Sequence, residues 1–408
     1  RYFGLLGFFT FAMLGLVLAN NLLMLYVFWE LVGLSSYLLI GFWYQKRKAY
    51  RAAKKAFLVN RLGDVGLLIG LILTFLYFDT WEIEMIKEKL QEASLAFNLA
   101  NWELGIIALC LFCGALAKSA QFPLHFWLPD AMEGPTPVSA LIHAATMVAA
   151  GVYLMARFYF LINLDAGIGM AFIGAITIFL GAFSALVQND IKKVLAYSTI
   201  SQLGYMILAL GVGGYTAGLF HLFTHAFFKA GLFLGAGAII HALHKLEKKV
   251  DFQFDPQNIY LMGGLGKKLP FVFLTFSICS LSLCGLPLFS GFLSKDSILI
   301  ASWAWAEALG QGGSWLFYLI PLTAFMGVFL TALYMGRLLW LVFGGSFVLD
   351  KLYRRKQKAF ALLEDIPNLM KIPLGLFAFM SLAFVFSLNP VSAEGSWLLS
   401  LLAPPDWG

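Results

Sequence analysis

Charge is what this 408-residue sequence has least of. Asp, Glu, Lys and Arg together make up 12% of it, about half the share of an average soluble domain. With 61% apolar residues and 40 Phe, 15 Tyr and 11 Trp, no stretch reads as a soluble catalytic domain. Cysteine is also scarce, at four. Cys110 and Cys113 form a C-x-x-C, and Cys279 and Cys284 lie in another apolar run, but neither a four-ligand zinc set nor a thioredoxin-like context surrounds them. There is no Gly-rich phosphate loop after a strand, no nucleophile elbow and no haem or iron–sulfur cysteine spacing. Bond-making chemistry, resident metals and resident cofactors are therefore not expected. Arg1 stands where a Met would begin a chain, already inside an apolar run, so a piece of a longer protein is expected and no signal peptide is identified.

What is present is a succession of apolar runs of about 20 residues, the length needed to cross a hydrocarbon core as a helix. They predict an all-α polytopic membrane protein with about eleven spans, near 2–19, 21–43, 57–78, 103–133, 137–162, 168–188, 194–213, 215–243, 270–304, 315–343 and 372–389. On that count alternate loops hold 20 basic residues against two, Lys87 and Lys89, at the opposite ends. This positive-inside pattern places Arg1 on the inner side, so the formal charge of +6 sets topology rather than nucleic-acid binding. Residues 79–102 predict a surface helix on the outer side; 244–269 and 344–371 read as basic inner loops.

Two spans are interrupted. The first, 103–133, carries Pro123 and Pro129, and the second, 270–304, carries the turn-forming cluster around Pro287. Freed backbone groups at membrane depth are tolerated only beside protein or water, so both breaks are expected to line hydrated interior. They are the fourth and ninth spans, an odd offset, which predicts inverted five-helix repeats. The first repeat is 1–162, the second 168–343, and 344–408 holds a basic inner loop, one further span and an outer-side tail.

Six basic residues fall within the spans. Arg61, Arg157 and Arg337 lie near span ends and can snorkel to the interface. Lys118, Lys229 and Lys295 cannot; each would cost on the order of 2.5–3.5 kcal/mol at a helix centre by insertion scales. Glu30 is the one charge of the second span, and a pair with Lys118 is inferred. Arg61 and Asp64, three residues apart, predict a local ion pair. His221, His225 and Lys229 recur at intervals of four, on one slowly turning face about 12 Å long. Such a row can pass protons, because histidine titrates near neutral pH. A zinc reading of the two histidines lacks a third ligand and the hydrolase glutamate. His143 would extend the row toward Lys118, and Asp296 would partly neutralise Lys295 at an outer exit. His125 receives no role.

The stretches "FWELVGLSSYLLIGFWY", "KAFLVNRLGDVGLL", "AKSAQFPLHFWLPDAMEGPTPVSALIHAATMVAAGVYL", "QNDIKKVLAYSTISQLGYMILALG", "FHLFTHAFFKAGLFLGAGAIIHAL", "LMGGLGKKLP" and "SGFLSKDSIL" resemble the antiporter-like proton-pumping subunits of respiratory complex I, NADH:quinone oxidoreductase, most closely the distal subunit of chain 5 or L type. The resemblance implies fourteen or more spans, two inverted repeats and a central hydrophilic axis. It assigns Glu30 and Lys118 to a first half-channel, His143 to the connection, His221, His225 and Lys229 to the relay, and Lys295 with Asp296 to the exit. It also implies that NADH, FMN, iron–sulfur clusters and quinone belong to partner subunits. The expected surroundings are the neighbouring antiporter-like subunit and the lipid of a bacterial inner membrane or an organellar energy-transducing membrane. The large subunit of sodium/proton antiporters is similar but places a lysine where this chain has Ala149 and Ala150. Neighbouring pump subunits carry glutamate in place of Lys295. Hydrogenase and inorganic-carbon-uptake complexes reuse the same fold.

Overall fold

A computed structural model of the chain describes residues 1–96, 101–250, 252–311, 314–352, 359–393 and 395–403. Among them there are helices and three isolated β-bridges but no strand. The helices are α1 (Tyr2–Leu18), α2 (Leu22–Ile40), α3 (Arg47–Phe78), α4 (Ile83–Ala96), α5 (Asn101–Lys118), α6 (Thr136–Ala144), α7 (Met147–Arg157), α8 (Leu164–Val187) and α9 (Ile191–Gly211). They continue with α10 (Tyr215–Val250), α11 (Pro270–Cys284), α12 (Ser290–Gly310), α13 (Leu319–Phe343), α14 (Leu349–Leu352), α15 (Ala359–Leu362), α16 (Asn368–Phe379) and α17 (Trp397–Leu401). Seven segments, α2, α3, α6 with α7, α8, α9, α10 and the stretch Trp315–Phe343, are long and apolar enough to cross a membrane; α1, α11 and α16 are shorter apolar helices. Each of the eleven expected spans contains helix, and the surface helix expected in 79–102 is α4; residues 97–100 of that loop lie outside the described residues. So do 353–358, most of the basic part of the 344–371 loop, and 404–408 of the tail.

The helix ends differ from expectation where main-chain geometry decides them. The basic stretch 45–55, read as loop, is helical from Arg47, because nothing in it lacks a backbone donor and α3 runs 32 residues without a break. The fourth span breaks at Lys118, five residues before Pro123. Ala120 turns left-handed at φ 47° and Gln121 N donates to Leu116 O at 2.9 Å, closing the helix as a Schellman end. Pro123 and Pro129 keep the following segment irregular until a single 3₁₀ turn at Asp130–Glu133. The ninth span ends its first half in the same way: Gly285 has φ 76° and Leu286 N donates to Leu281 O at 3.2 Å, with Pro287 in the turn beyond.

Two interruptions were not foreseen. The fifth span splits at Ala145 and Thr146 between α6 and α7, and the eleventh stops at α16, followed by a 3₁₀ turn at Ala383–Val385. The second of these is satisfied by the ninth span's break. Ser290 N donates to Ser381 O at 2.9 Å and Ala383 N to Leu288 O at 3.0 Å, a short antiparallel ladder between two broken segments. Backbone groups freed inside a bilayer need such partners.

At the centre stands α9, 94% buried over its apolar window, packed on α8 through small residues. A methyl group placed at Gly174 would lie 2.7 Å from Leu208 N, one at Gly204 2.9 Å from Gly174 O, and one at Gly211 2.6 Å from Ala171 N. The two backbones therefore touch, which is how helices associate where lipid is as apolar as leucine. Replacing Gly204 with Val should cost about 1–3 kcal/mol by overpacking, read as a lower midpoint of denaturation in detergent; Gly4→Val, with open space around it, should leave that midpoint unchanged.

Candidate functional site

Lys118 closes α5 with no solvent exposure, and Lys229 and Lys295 are 0% and 2% exposed. A charge buried this deeply requires a partner, and the three find different ones.

The first cluster lies between α2, α3 and α5. Asp64 accepts from Trp29 Nε1 at 2.7 Å and sits 3.9 Å from Lys118 Nζ and 3.7 Å from Arg61. Arg61 in turn contacts Glu30. The inferred Glu30–Lys118 pair is thus corrected: Asp64 is the carboxylate beside Lys118, and Glu30 belongs to Arg61. The reason is register. Arg61 and Asp64 share one face of α3, one helical turn apart, so the arginine reaches Glu30 while the aspartate turns toward Trp29 and α5. Lys118 Nζ also lies 5.0 Å from the Trp29 ring centre, a cation–π distance. A methyl at Gly33, one turn from Glu30, would lie 3.3 Å from that same Nζ. Neither Lys118 Nζ nor Glu30 Oε1 has a hydrogen-bond partner among the described residues.

The second cluster occupies the faces of α9, α10 and α12. Lys229 Nζ donates to Ser198 Oγ at 2.5 Å and to Leu195 O at 3.3 Å. One turn along, the ring of His225 has its Nδ1 3.0 Å from Ala144 O, a carbonyl released where α6 ends. His221 uses both ring nitrogens, with Nδ1 2.8 Å from Ser294 Oγ and Nε2 3.1 Å from Gln202 Oε1. Thr224 Oγ1 is 3.0 Å from the same Ser294 hydroxyl. Lys295, next in chain to Ser294, donates to Leu283 O at 2.5 Å, the carbonyl freed by the break, with its Nζ 5.4 Å from the Tyr205 ring centre.

His143 lies in the last turn of α6, buried against Phe233 with ring centres 5.8 Å apart, and its Nδ1 has no hydrogen-bond partner among the described residues. It stands beside the α10 row, but no hydrogen bond joins it to Lys118 or Lys229 among the described residues. Asp296 does not neutralise Lys295. One residue of helix turns it about 100° away, and it lines a recess of about 360 Å³ with Thr216, Ser297 and Ala393. Arg157 holds Val17 O and Ala19 O, and Arg337 holds Gln188 O, both at span ends as expected. His125 faces Phe122 with ring centres 6.2 Å apart.

Ser198, Gln202, Thr224 and Ser294, which hydrogen-bond Lys229, His221 or one another, were not singled out from the sequence. Their signal was available: Ser198 and Gln202 are four residues apart on the helix with almost no exposed face, where polar side chains must be hydrogen-bonded. Lys192 was read as a topology charge in a loop. It is 2% exposed and donates to Met132 O and Gly134 O at 2.5 and 2.9 Å.

Residues 19–337 match the family described as NADH:quinone oxidoreductase/Mrp antiporter, TM. NAD(P)H-quinone oxidoreductase subunit 5 of the Physcomitrium patens chloroplast is 49% identical over 351 residues, covering 85% of this chain and 46% of that protein. Chain 5 of the same name from Picosynechococcus sp. is 49% identical over 349 residues, covering 85% and 51%. The chain spans about half the length of these curated relatives. A solved structure, the Mrp complex from Dietzia sp. DQ12-45-1b, superposes with TM-score 0.79 at 29% identity, covering all of this chain and 42% of that one.

The Asp64 geometry predicts unequal losses. Asp64→Asn leaves Lys118 without its anion and should destabilise the protein by about 3–5 kcal/mol, whereas Glu30→Gln, one-fifth exposed, should cost clearly less. Chemical denaturation of the two variants in the same detergent compares them; equal losses would restore Glu30 as the partner.

Proposed function

The chain belongs to the NADH:quinone oxidoreductase/Mrp antiporter transmembrane family, and from that premise we propose that it is a proton-translocating membrane subunit of an NAD(P)H-quinone oxidoreductase. The observation that carries the reading is the buried row on α10, in which His221, His225 and Lys229 meet Ser294, Ala144 O and Ser198 at hydrogen-bond distance. Hydroxyls, which both donate and accept, are the groups a proton relay needs between titrating side chains.

In this reading Lys118 exchanges its proton when its balance with Asp64, Arg61 and Glu30 changes. The proton passes by His143 and the broken end of α6 to Lys229 and His225, then by His221 and Ser294 to Lys295. The orphaned atoms, Lys118 Nζ, His143 Nδ1 and His225 Nε2, mark where water completes the path, since buried polar groups are satisfied by protein or ordered water. Asp296 and its recess form the outer mouth. The breaks after Lys118 and before Lys295 end their helices in one motif, which supports the division into two inverted repeats, 1–162 and 168–343.

Electron transfer belongs to other subunits, which would hold NADH, FMN, iron–sulfur clusters and quinone. The neighbouring partner would be a second antiporter-like subunit. Relatives named for chloroplasts and chromatophores support an energy-transducing membrane as the location. The likeness to an Mrp complex favours one second reading, a sodium/proton antiporter subunit.

Substitution in the assembled complex tests the path. Lys118→Ala and Lys229→Ala should abolish most proton uptake by reconstituted vesicles while quinone reduction by the redox subunits remains measurable; Ser294→Ala should slow pumping roughly a hundredfold, the lower end of the range for removing one proton-transfer group. Normal proton-to-electron stoichiometry in Lys229→Ala would sink the relay. Sodium-dependent growth loss on deletion, with quinone reduction intact, would transfer the protein to the antiporter class.

A further inference from the structure

The inner end of α3 joins two surfaces of opposite chemistry along one stripe. Positions 48, 51, 55, 58, 62, 65 and 69 step by three and four residues, so they share one slowly turning face of the helix. The first three are Lys48, Arg51 and Lys55; the next four are Leu58, Leu62, Val65 and Ile69, all exposed. Beneath the basic end lies a cavity of about 300 Å³ walled by Lys48, Arg51, Lys55, Asp130, Glu133 and Lys193. Four cations against two carboxylates leave it at net +2.

The charges are not spent equally. Lys55 is bound to Asp130 at 2.6 Å and its Nζ lies 5.1 Å from the Phe126 ring centre. Among the described residues the side chains of Lys48, Arg51 and Lys193 have no hydrogen-bond or ion-pair partner. Arg337, at the inner end of α13, contrasts with them: its guanidinium is taken up by Gln188 O, Asn189 and Tyr260. Depth is set by Trp43, Tyr44 and Tyr50, exposed aromatic rings just N-terminal to or beside the basic turns, where an interfacial belt sits. From Leu58 to Ile69 the helix rises about 16 Å, close to half of a hydrocarbon core about 30 Å thick.

We propose that this stripe binds an anionic phospholipid of the inner leaflet, its phosphate held by Lys48, Arg51 and Lys193 and one acyl chain lying along Leu58, Leu62, Val65 and Ile69. A soluble anion would use the cations alone, whereas an anionic lipid also lays an acyl chain along the apolar residues that continue the same face of α3. A zwitterionic lipid would bring its own ammonium into a cavity already positive. The Lys55–Asp130 pair forms the inner wall and fixes the segment following the break at Lys118 against α3, so the lipid headgroup lies against that segment.

The test uses the intact complex, titrated with phosphatidylglycerol or with phosphatidylcholine of matched chains and observed by native mass spectrometry. Wild-type complex should retain phosphatidylglycerol preferentially, and Lys48→Gln with Arg51→Gln should weaken that retention roughly thirtyfold, the effect of two interfacial charges. Lys48→Arg with Arg51→Lys should stay within a few-fold of wild type. Lys193→Gln, on a different helix, supplies an independent loss of about fivefold should the double variant fail to assemble. Equal retention of both lipids, or unchanged phosphatidylglycerol binding in the glutamine variants, overturns the proposal. So does displacement of the lipid by millimolar inorganic phosphate, which would make this a soluble-anion site, or side chains of a neighbouring subunit filling the cavity in the assembled complex.

Discussion

The constraint on which the rest of this structure depends is that a backbone in hydrocarbon must satisfy its own polar groups. Wherever a helix stops inside the bundle it releases carbonyls, and buried donors take them. Lys295 uses Leu283 O from the break before α12, His225 uses Ala144 O from the end of α6, and Lys192 uses Met132 O and Gly134 O beside the 3₁₀ turn. Each break is thereby made tolerable by the cation or ring it helps to hold, and each donor is held by a group that a continuous helix would have kept for itself. Lys118 is the exception. It ends its own helix, and its partners are the Asp64 carboxylate and the Trp29 ring. A carboxylate can change its own charge and a fixed carbonyl cannot, and the proposed proton path starts at the first cluster for that reason.

Close packing makes these contacts possible. Gly174 and Gly204 bring the α8 and α9 backbones together, and α9 then stands close enough to α10 for Ser198 and Gln202 to reach Lys229 and His221. Larger side chains along that seam would separate the helices and leave the same polar groups unpaired in a low-dielectric interior, at a cost each time. The ladder between Leu288, Ser290, Ser381 and Ala383 extends the principle to two broken segments far apart in sequence.

Much of this was legible beforehand. The spans, the surface helix α4 and the break at Gly285 follow from apolar run length, charge asymmetry and turn chemistry, all local properties. The lysines announced themselves because a lone charge in an apolar run is costly wherever the helix lies. Less legible were the ends. Proline marked the neighbourhood of the first break, but Ala120 in a left-handed conformation ended the helix, and no alanine signals that in a sequence. The splits at Ala145 and after α16 likewise lack proline or glycine at the point of interruption; tertiary partners stabilise them.

Sequence by itself determined which groups are ionisable, how deep along each helix they lie and that the basic residues gather in alternate loops. These depend on composition and on the 3.6-residue period, which hold for a helix in any surroundings. Tertiary structure alone decided that Asp64 rather than Glu30 stands beside Lys118, that Asp296 turns from Lys295 and that serine and glutamine side chains hydrogen-bond Lys229 and His221. Those pairings depend on which faces meet across helix seams, and a seam is set by the approach of two backbones, a distance no single helix encodes.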